Sequence, residues 1–465
     1  MRIRLRPSRA AFLLAASVTL SLAGLISDGP IDSQAAGLSV RIAGNHFVDG
    51  SGRTIRLLGV NRSGTEYECM ANNGFFDGPS DAASIAAMAS WNVDAVRVPL
   101  NEDCWLGING APAAYSGANY RNAIAGYVSR LHAAGMYAIV DLHWNAQGSL
   151  PADGKTGQGR DMADLDHSPA YWSSVAAFFR NDPGVVFDLF NEPHDISWDC
   201  WLHGCTVSDG TGTWQAAGMQ TLLNAVRSTG ARNVVTISAN GWGGDIPQWI
   251  NYRPHDPLGQ TAAGWHVYYP ETWWSDPSRW NAAVSAVQAA QVPIVATELG
   301  EHDCATGWIN QFLPWADQRG LSYTPWTWDT WPACSNPVLI TNYNGTPTGY
   351  GIGVRDHLRS LTGFRPALAG AALPGRSSSV KQASHPATAA PPVEAPVVDR
   401  HIGAMGRAAP LVSVRSRSPA RAAVIGLVAV VVAASPLVLA AALWFIRRRR
   451  RQSAAAVEAP DRVTA

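Results

Sequence analysis

The sequence predicts an α/β protein whose main domain, residues 37–365, folds as a (β/α)8 TIM barrel and is followed by a disordered linker and a C-terminal transmembrane helix. Three observations favour this architecture. Short apolar runs rich in β-branched residues recur at fairly even separation, the segments between them have the spacing of amphipathic helices, and a long charge-free apolar stretch lies near the C-terminus. Strands that alternate with helices pair in parallel, and eight such units close into a barrel.

The eight runs that we predict as barrel strands are Thr54–Val60, Val93–Pro99, Tyr137–Leu142, Val185–Phe190, Asn233–Ser238, Gly264–Tyr268, Pro293–Thr297 and Leu321–Trp326. Helical spacing is clear over Asn119–Ala134 and Pro169–Arg180. An open doubly wound sheet is the alternative fold. That fold usually has a glycine-rich phosphate-binding turn after its first strand, and the segment from Val60 to Gly64 lacks this pattern.

The N-terminal segment, residues 1–36, has the layout of a secretory signal peptide. Four arginines between positions 2 and 9 precede an apolar run from Ala10 to Ile26, and small residues near Ser33–Ala35 form a cleavage pattern. We therefore expect the chain to be exported. An uncleaved signal anchor is the alternative explanation of the same pattern.

The C-terminal part of the chain predicts a membrane anchor. Residues 366–421 are rich in Ala, Pro, Ser and Val without apolar periodicity, which is typical of a disordered or semi-extended linker. Residues 422–446 are charge-free and long enough to cross a bilayer. Five arginines, Arg447–Arg451, open the tail 447–465, which the positive-inside rule assigns to the cytoplasm. The main domain is therefore expected outside the cell.

Composition excludes some partners and suggests others. Lys+Arg and Asp+Glu both number 35, so nothing indicates the clustered basic surface that nucleic-acid binding needs. Separately, we expect the protein to be a monomer. The 19 tryptophans favour stacking on a flat ligand such as a sugar ring. The six cysteines lack the CxxC spacing of a zinc site and predict disulfides in an exported protein, with 15 connectivities open. They are Cys69, Cys104, Cys200, Cys205, Cys304 and Cys334.

Two glutamates follow predicted strands at the end of the barrel where active sites are built. Glu192 follows the fourth run, in the Asn191-Glu192-Pro193 turn, and Glu298 follows the seventh. Retaining hydrolysis of a glycosidic bond needs one protonated and one ionised carboxyl group about 5–5.5 Å apart. Two glutamates that face each other across the barrel mouth would supply that pair.

Five further strand-end residues are candidates to support these glutamates. They are Arg97, Tyr268, His143, His266 and Asn191. The arginine and the tyrosine are candidates to hold Glu298 ionised, by charge and by hydrogen bond. The two histidines are candidates to tune Glu192 and to position the leaving group, and the Asn191 amide to bind the sugar 2-hydroxyl.

Each of these residues also has a structural interpretation. A strand-end glutamate is often an ion-pair partner, a buried histidine is often a satisfied core residue, and Arg97 could pair with Asp141. A metal site built on His143 and His266 lacks a ligand motif, so no metal is expected. No Gly-x-Ser-x-Gly elbow supports serine hydrolase chemistry.

Six motifs occur in a characteristic order along the domain. They are Val96–Pro99, Asp141-Leu142-His143, Phe187–Pro193, His266-Val267-Tyr268, Ala296–Gly300 and Trp326-Thr327-Trp328. The ordered set resembles glycoside hydrolase family 5, the cellulase family. The resemblance implies that Glu192 is the acid/base, that Glu298 is the nucleophile, and that the five residues named above form their supporting shell. It also implies that no cofactor is needed. Trp326, or Trp328 in the same motif, would stack on the sugar.

Within the barrel that the resemblance implies, the cysteines lie in the loops after strands one and two, in the loops after strands seven and eight, and, as a pair, in the long loop after strand four. This implies the disulfides Cys69–Cys104, Cys200–Cys205 and Cys304–Cys334, each of which would stiffen a loop around the cleft. Other tryptophans expected to line that cleft are Trp144, Trp198, Trp201, Trp242, Trp273, Trp274 and Trp331.

The resemblance leaves the sugar open. An endo-β-1,4-glucanase acting on a polysaccharide or oligosaccharide ranks first, and a β-mannanase, another β-glycanase or an exo-glycosidase of the same family ranks second. A non-catalytic surface barrel that only binds carbohydrate is an alternative from another class. An anchored structural protein of the cell envelope is a third. The presence of both glutamates favours an enzyme.

Overall fold

Eight parallel strands form the centre of the computed structural model, which describes residues 37–332 and 336–361. The strands, labelled β1 to β8 in chain order, are β1 Gly59–Asn61, β2 Ala95–Asn101, β3 Tyr137–Trp144, β4 Val185–Asp188, β5 Val235–Ser238, β6 Thr261–Tyr269, β7 Ile294–Glu301 and β8 Ser322–Tyr323. Each strand pairs with its neighbour in the chain, and a parallel bridge between Leu58 and Tyr323 joins β8 to the start of β1. The predicted barrel is confirmed.

Helices alternate with these strands. Those of the described residues, labelled α1 to α10, are α1 Ala82–Ser90, α2 Glu102–Leu106, α3 Ala118–Ala133, α4 Ser168–Phe179, α5 Trp198–His203, α6 Met219–Ser228, α7 Ile246–Trp249, α8 Trp280–Ala289, α9 Ile309–Gln318 and α10 Gly349–Ser360. Short 3-10 turns occupy Ile250–Tyr252, Trp273–Ser275 and Pro277–Arg279. Both helices predicted from periodicity are present, as α3 and α4.

Side-chain caps fix where several helices begin. The Asp81 carboxylate accepts a hydrogen bond from the Ser84 amide at the start of α1, and the Thr348 hydroxyl caps α10 in the same way. Ser197 caps α5, directly after the loop that contains Glu192. These caps satisfy amide groups that have no partner within the helix.

The first predicted strand, Thr54–Val60, is two separate elements. Thr54–Ile55 belongs to a small antiparallel sheet with Arg41–Ala43 and His46–Val48, and only Gly59–Asn61 enters the barrel. Ile55 packs with the side chains at the amino-terminal end of the barrel strands, so the small sheet closes that end. Gly59 is required where β1 passes β2, because an added Cβ would lie 1.6 Å from the Ala95 carbonyl oxygen.

Two two-stranded antiparallel ribbons lie in the loops at the other end of the barrel. Gly204–Asp209 pairs with Gly212–Ala217 in the connection after β4, and Ile340–Asn342 pairs with Thr346–Pro347 after β8. The disulfides Cys69–Cys104 and Cys200–Cys205 are present as predicted. Cys304 is also disulfide-bonded. Its predicted partner Cys334 lies outside the described residues.

Four predicted segments also lie outside the described residues and stay predictions. They are the signal peptide 1–36, the linker 366–421, the membrane helix 422–446 and the basic tail 447–465. Among the residues that the structure describes, no helix has both the length and the apolar character that a membrane span needs.

Candidate active site

The carboxyl ends of the barrel strands bring the predicted site residues together. The strand that contributes each residue is β2 for Arg97, β3 for His143, β6 for His266 and Tyr268, and β7 for Glu298, while Asn191 and Glu192 follow β4. In the parallel pairing of β6 with β7, His266 lies opposite Glu298. Side chains from different strands thus meet because the strands share one direction.

The two glutamates both lie close to Nδ1 of the His266 imidazole. Nδ1 of His266 is 2.9 Å from Oε1 of Glu192 and 3.6 Å from Oε2 of Glu298. The closest oxygens of the two carboxyl groups are within 4.8 Å of each other. The Glu192 side chain is 23% exposed, and that of Glu298 is 5% exposed. The separation fits the short spacing of retaining enzymes and is shorter than the spacing of inverting ones.

Both oxygens of Glu298 accept hydrogen bonds from buried donors. Nη1 of Arg97 donates to Oε1 at 2.6 Å, and the Tyr268 hydroxyl donates to Oε2 at 2.6 Å. Burial raises the pKa of Tyr268 further above its usual value, so the phenol stays a neutral donor. A cation and a hydroxyl donor on one carboxyl group both favour its ionised form.

Arg97 is the centre of a buried polar network. Its Nη2 donates to Asp141 and to Oδ1 of Asn191, both at 2.9 Å, and its Nε donates to Asp188 at 3.0 Å. Burial alone would lower the pKa of Arg97, but the surrounding carboxylates raise it, so the guanidinium remains charged. The anticipated pair with Asp141 is therefore present, and it belongs to the same network as Glu298.

His266 acts as a neutral donor to Glu192. Burial lowers the pKa of His266 to about 4, so the imidazole is uncharged near neutral pH. Among the described residues Nε2 of His266 has no hydrogen-bond partner, so we assign the imidazole proton to Nδ1, which can donate to Oε1 of Glu192 whether that carboxyl group is ionised or carries its proton on Oε2. Gly243, at φ +69°, lies directly beneath the ring, and an added Cβ would be 2.7 Å from His266 Cγ. The glycine is what allows the imidazole to take this position.

The environment of Glu192 favours its protonated form. Burial raises the pKa of Glu192, and the opposing influence of His143 and His194 is smaller. His143 hydrogen-bonds Asp141 through Nδ1 at 2.9 Å. Burial would lower the pKa of His143, but the hydrogen bond and charge of Asp141, together with the charges of Glu66 and Glu298, raise it. The site therefore contains one carboxyl group biased toward the acid and one whose ionised form is stabilised by donors.

The predicted tryptophans differ in their exposure. Trp326 is 9% exposed and stacks on His143, with ring centroids 5.5 Å apart and planes 15° from parallel. Trp242 is 46% exposed and stacks on His194 at 3.4 Å. Trp144, 8% exposed, lies beside Tyr67, which in turn contacts Trp331. These rings form apolar surface near the two glutamates.

Two tryptophans do not line the site, contrary to prediction. Trp328 is fully buried and packs edge-on against Trp91, because the chain after β8 turns this ring toward α1. Trp201 is likewise buried, against Trp198. The alternative prediction, that Trp328 rather than Trp326 stacks on the sugar, is therefore wrong.

Sequence reasoning also missed two buried acids near the site. Asp188 is bound to Arg97, and its position between Phe187 and Leu189 was a sign of a buried partner. Glu66 accepts a hydrogen bond from the Gly64 amide at 2.7 Å, and burial raises its pKa to about 7. Glu66 lies in a loop without periodicity, so no sequence pattern pointed to it.

Comparison with known proteins agrees with this geometry. The family model described as cellulase, glycosyl hydrolase family 5, matches residues 48–331. The chain belongs to glycosyl hydrolase family 5. As a member of that family it is a glycoside hydrolase. The matched region runs from the small sheet below the barrel to the loop after β8, so it contains both glutamates.

Relatives of this family 5 hydrolase are distant. It is 24% identical to an endoglucanase of Streptomyces lividans over 305 residues, 62% of this chain and 56% of that protein. It is 25% identical to endoglycoceramidase I of Rhodococcus hoagii over 342 residues, 61% of this chain and 66% of that protein. The chain thus spans between half and two thirds of these relatives.

A solved structure shares the fold of this family 5 hydrolase. The crystal structure of a β-glucanase from Saccharophagus degradans superposes with a TM-score of 0.53 at 19% identity, covering 70% of this chain and 94% of that one. Similarity at this level of identity supports the barrel fold.

Proposed function

We propose that this family 5 hydrolase is a retaining endo-β-1,4-glucanase in which Glu192 is the acid/base and Glu298 the nucleophile. The observation that supports this most is the separation of the two carboxyl groups, whose closest oxygens lie within 4.8 Å. The endoglucanase of Streptomyces lividans among its relatives supports the choice of a β-glucan.

In the first step Glu192 donates its proton to the glycosidic oxygen while a carboxylate oxygen of Glu298 attacks the anomeric carbon. The bond between that carbon and the leaving oxygen breaks, and an ester to Glu298 forms. Arg97 and Tyr268 orient the attacking carboxylate, each at 2.6 Å. His266 orients Glu192 toward the leaving oxygen, through the hydrogen bond at 2.9 Å.

In the second step Glu192, now ionised, removes a proton from water, and the resulting oxygen attacks the anomeric carbon. The ester bond breaks, Glu298 regains its charge, and Glu192 regains its proton. Because Oδ1 of Asn191 accepts from Arg97, the Asn191 amide nitrogen is the group available to donate to a sugar hydroxyl. Trp326 supplies the stacking surface beside the cleaved bond, and Trp144 and Trp242 extend it.

The raised pKa of Glu192 predicts the alkaline limb of the pH profile. Only protonated Glu192 starts the reaction, so kcat/KM falls as pH rises through its pKa, which burial raises above the usual value for glutamate. The measurement is kcat/KM against pH with a soluble β-glucan, whose sugar leaving group needs that proton. Glu192→Gln cannot titrate, and its residual activity is expected to lack this limb. An unchanged limb in that variant would assign the titration to another group.

Trp326 and Trp328 provide a matched pair of substitutions. Trp326→Ala removes the ring that stacks on His143, and kcat/KM is expected to fall about tenfold, with a smaller fall in Tm than Trp328→Ala causes. Trp328→Ala empties a fully buried position and is expected to lower the free energy of unfolding by about 3–5 kcal/mol. Kinetics and thermal unfolding of both variants check this. Equal effects on Tm would contradict the placement of the two rings.

The substrate is tested with a panel of polymers. The full chain is incubated with soluble β-1,4-glucan, β-mannan, xyloglucan and a glycosphingolipid, the last because of the endoglycoceramidase among the relatives. We expect the fastest release of reducing ends from the β-1,4-glucan, with a rapid fall in viscosity that marks internal cleavage. Faster cleavage of mannan or glycolipid would contradict the assignment of β-1,4-glucan as the substrate. Release of single sugars without a fall in viscosity would contradict internal cleavage.

We also propose that the chain is exported and anchored, with its barrel outside the cell as a monomer. The sequence patterns of residues 1–36 and 422–451 support this. Cells that produce the full chain are fractionated, and intact cells are treated with protease. The barrel is expected in the membrane fraction and in a protease-accessible position. A chain found wholly in the cytosol would contradict the proposal.

A further inference from the structure

A second cluster of acidic side chains lies behind the ends of β2 and β3, apart from the two glutamates of the active site. Glu102 directly follows β2, and Asn145 directly follows β3. Asp164 and His167 end the long connection that leads into α4. Glu102, Asp164 and His167 each place one possible ligand atom within 4.8 Å of the other two.

A hydroxyl group and an amide group contact the two carboxyl groups of this cluster. The Ser168 hydroxyl is 2.6 Å from Oε2 of Glu102 and 3.2 Å from Oδ2 of Asp164. Nδ2 of Asn145 donates to the same Oδ2 at 2.8 Å. The Glu102 and Asp164 side chains are fully buried, and Asn145 is 1% exposed. Two carboxyl groups thus lie together in the protein interior.

Two oxygen atoms of the cluster have unused bonding capacity. Among the described residues, Oε1 of Glu102 and Oδ1 of Asn145 are buried without a hydrogen-bond partner. Nδ2 of Asn145 donates to Asp164 and also to the Met162 carbonyl oxygen at 3.4 Å. Binding of a cation by Oδ1 therefore requires a half-turn of the amide, which gives up both of these hydrogen bonds. A buried acceptor without a partner destabilises the fold, and paired buried carboxylates need a cation or a proton between them.

We propose that Glu102, Asp164, Asn145 and Ser168 bind one hard divalent cation of the Ca²⁺ class. Carboxylate, amide and hydroxyl oxygens are the ligands that such cations take. His167 borders the site, and its Nδ1 donates to the Ala146 carbonyl oxygen at 3.3 Å. The same Nδ1 lies 3.9 Å from Oε1 of Glu102 and 3.6 Å from Oδ1 of Asp164. The cation joins the ends of β2 and β3 to the 145–167 connection. It therefore holds the wall of the site that Trp144 belongs to, and it takes no part in the chemical step.

The wild-type test uses the full chain. Protein treated with a chelator and freed of it is titrated separately with Ca²⁺, Mg²⁺ and Mn²⁺, and bound metal and Tm are measured. We expect one tightly bound cation per chain and a rise in Tm of about 5 °C at saturation with the preferred ion. No rise with any of the three ions would overturn the proposal and would identify the cluster as a carboxyl pair that shares a proton.

Glu102→Gln separates these two accounts. Glutamine keeps the size of the side chain, and its amide can donate to Asp164, so the fold should be retained while the cation-dependent rise in Tm is lost. The control is Glu301→Gln, which alters another buried glutamate, one that accepts from the Trp308 and Ile309 amides and lies outside the cluster. This variant should keep the rise. A rise that persists in Glu102→Gln would overturn the site.

Asn145→Asp is expected to change Tm in opposite ways if the cluster binds a cation and if it is only a carboxyl pair that shares a proton. This test does not depend on whether Glu102→Gln folds. A third carboxylate strengthens binding of a hard cation, so the cation-dependent rise in Tm should exceed that of the wild type. Without a cation site, the added buried charge lowers Tm, and none of the three ions restores it. That second outcome would also overturn the proposal.

Discussion

Replacing Glu298 with glutamine is expected to lower kcat by about 10⁴-fold or more on every β-glycan that the enzyme cleaves. The amide cannot attack the anomeric carbon, so the covalent intermediate does not form. Arg97 keeps its bonds to Asp141 and Asp188, and the barrel should therefore stay folded. The measurement is kcat on a soluble β-glucan and on an aryl glycoside, with Tm recorded for each protein.

The matched control lies on the same strand. Glu301→Gln alters a buried glutamate at the end of β7 whose oxygens accept from the Trp308 and Ile309 amides. It is expected to lower Tm and to leave kcat within a few-fold of the wild type. Equal loss of activity in the two variants would mean that Glu298 acts through stability rather than as the nucleophile.

Replacing Glu192 with glutamine is expected to lower kcat on polysaccharide by about 10²–10⁴-fold, the usual contribution of a general acid. The loss should depend on the leaving group. An aryl glycoside with an acidic phenol departs without protonation, so the first step is largely retained. The second step then lacks its base, and a burst of phenol followed by slow turnover should appear in rapid-mixing experiments.

This dependence distinguishes the two glutamates. Glu298→Gln should be equally inactive on polymer and on aryl glycoside, whereas Glu192→Gln should recover part of its rate on the aryl glycoside. If Glu192→Gln loses the same factor on both substrates and shows no burst, its role as acid/base is contradicted. Exchange of the two behaviours between the variants would reverse the assignment.

Strand-end reasoning predicted much of this site because a parallel barrel has few ways to arrange its polar residues. An isolated acid at the end of an apolar strand, such as Glu298, comes to lie at the carboxyl end of the barrel, because all the strands run in the same direction. The same holds for Glu192 after β4. Their approach to within 4.8 Å across the barrel could not be read from the chain, because it depends on how the strands tilt and close.

Other features depend on contacts between residues far apart in sequence. Trp328 shares a motif with Trp326, yet it is buried because it packs against Trp91. Trp91 directly follows α1 and is far from Trp328 in the sequence. Arg97 has five partners among the acids and amides, and they come from β1, β3, β7, β4 and the turn after β4, so the network was visible only in part. Thr54–Ile55 was misassigned because a strand pattern does not tell which sheet a strand joins.

The configuration of the first-formed product tests the central claim most directly. Proton NMR during the first minutes of β-glucan hydrolysis, before mutarotation, shows which anomer the enzyme releases at the new reducing end. Double displacement through Glu298 predicts that the β-anomer appears first and that the α-anomer grows only as the sugar equilibrates. Initial release of the α-anomer would show inversion and would contradict the assignment of Glu192 and Glu298 as a retaining pair.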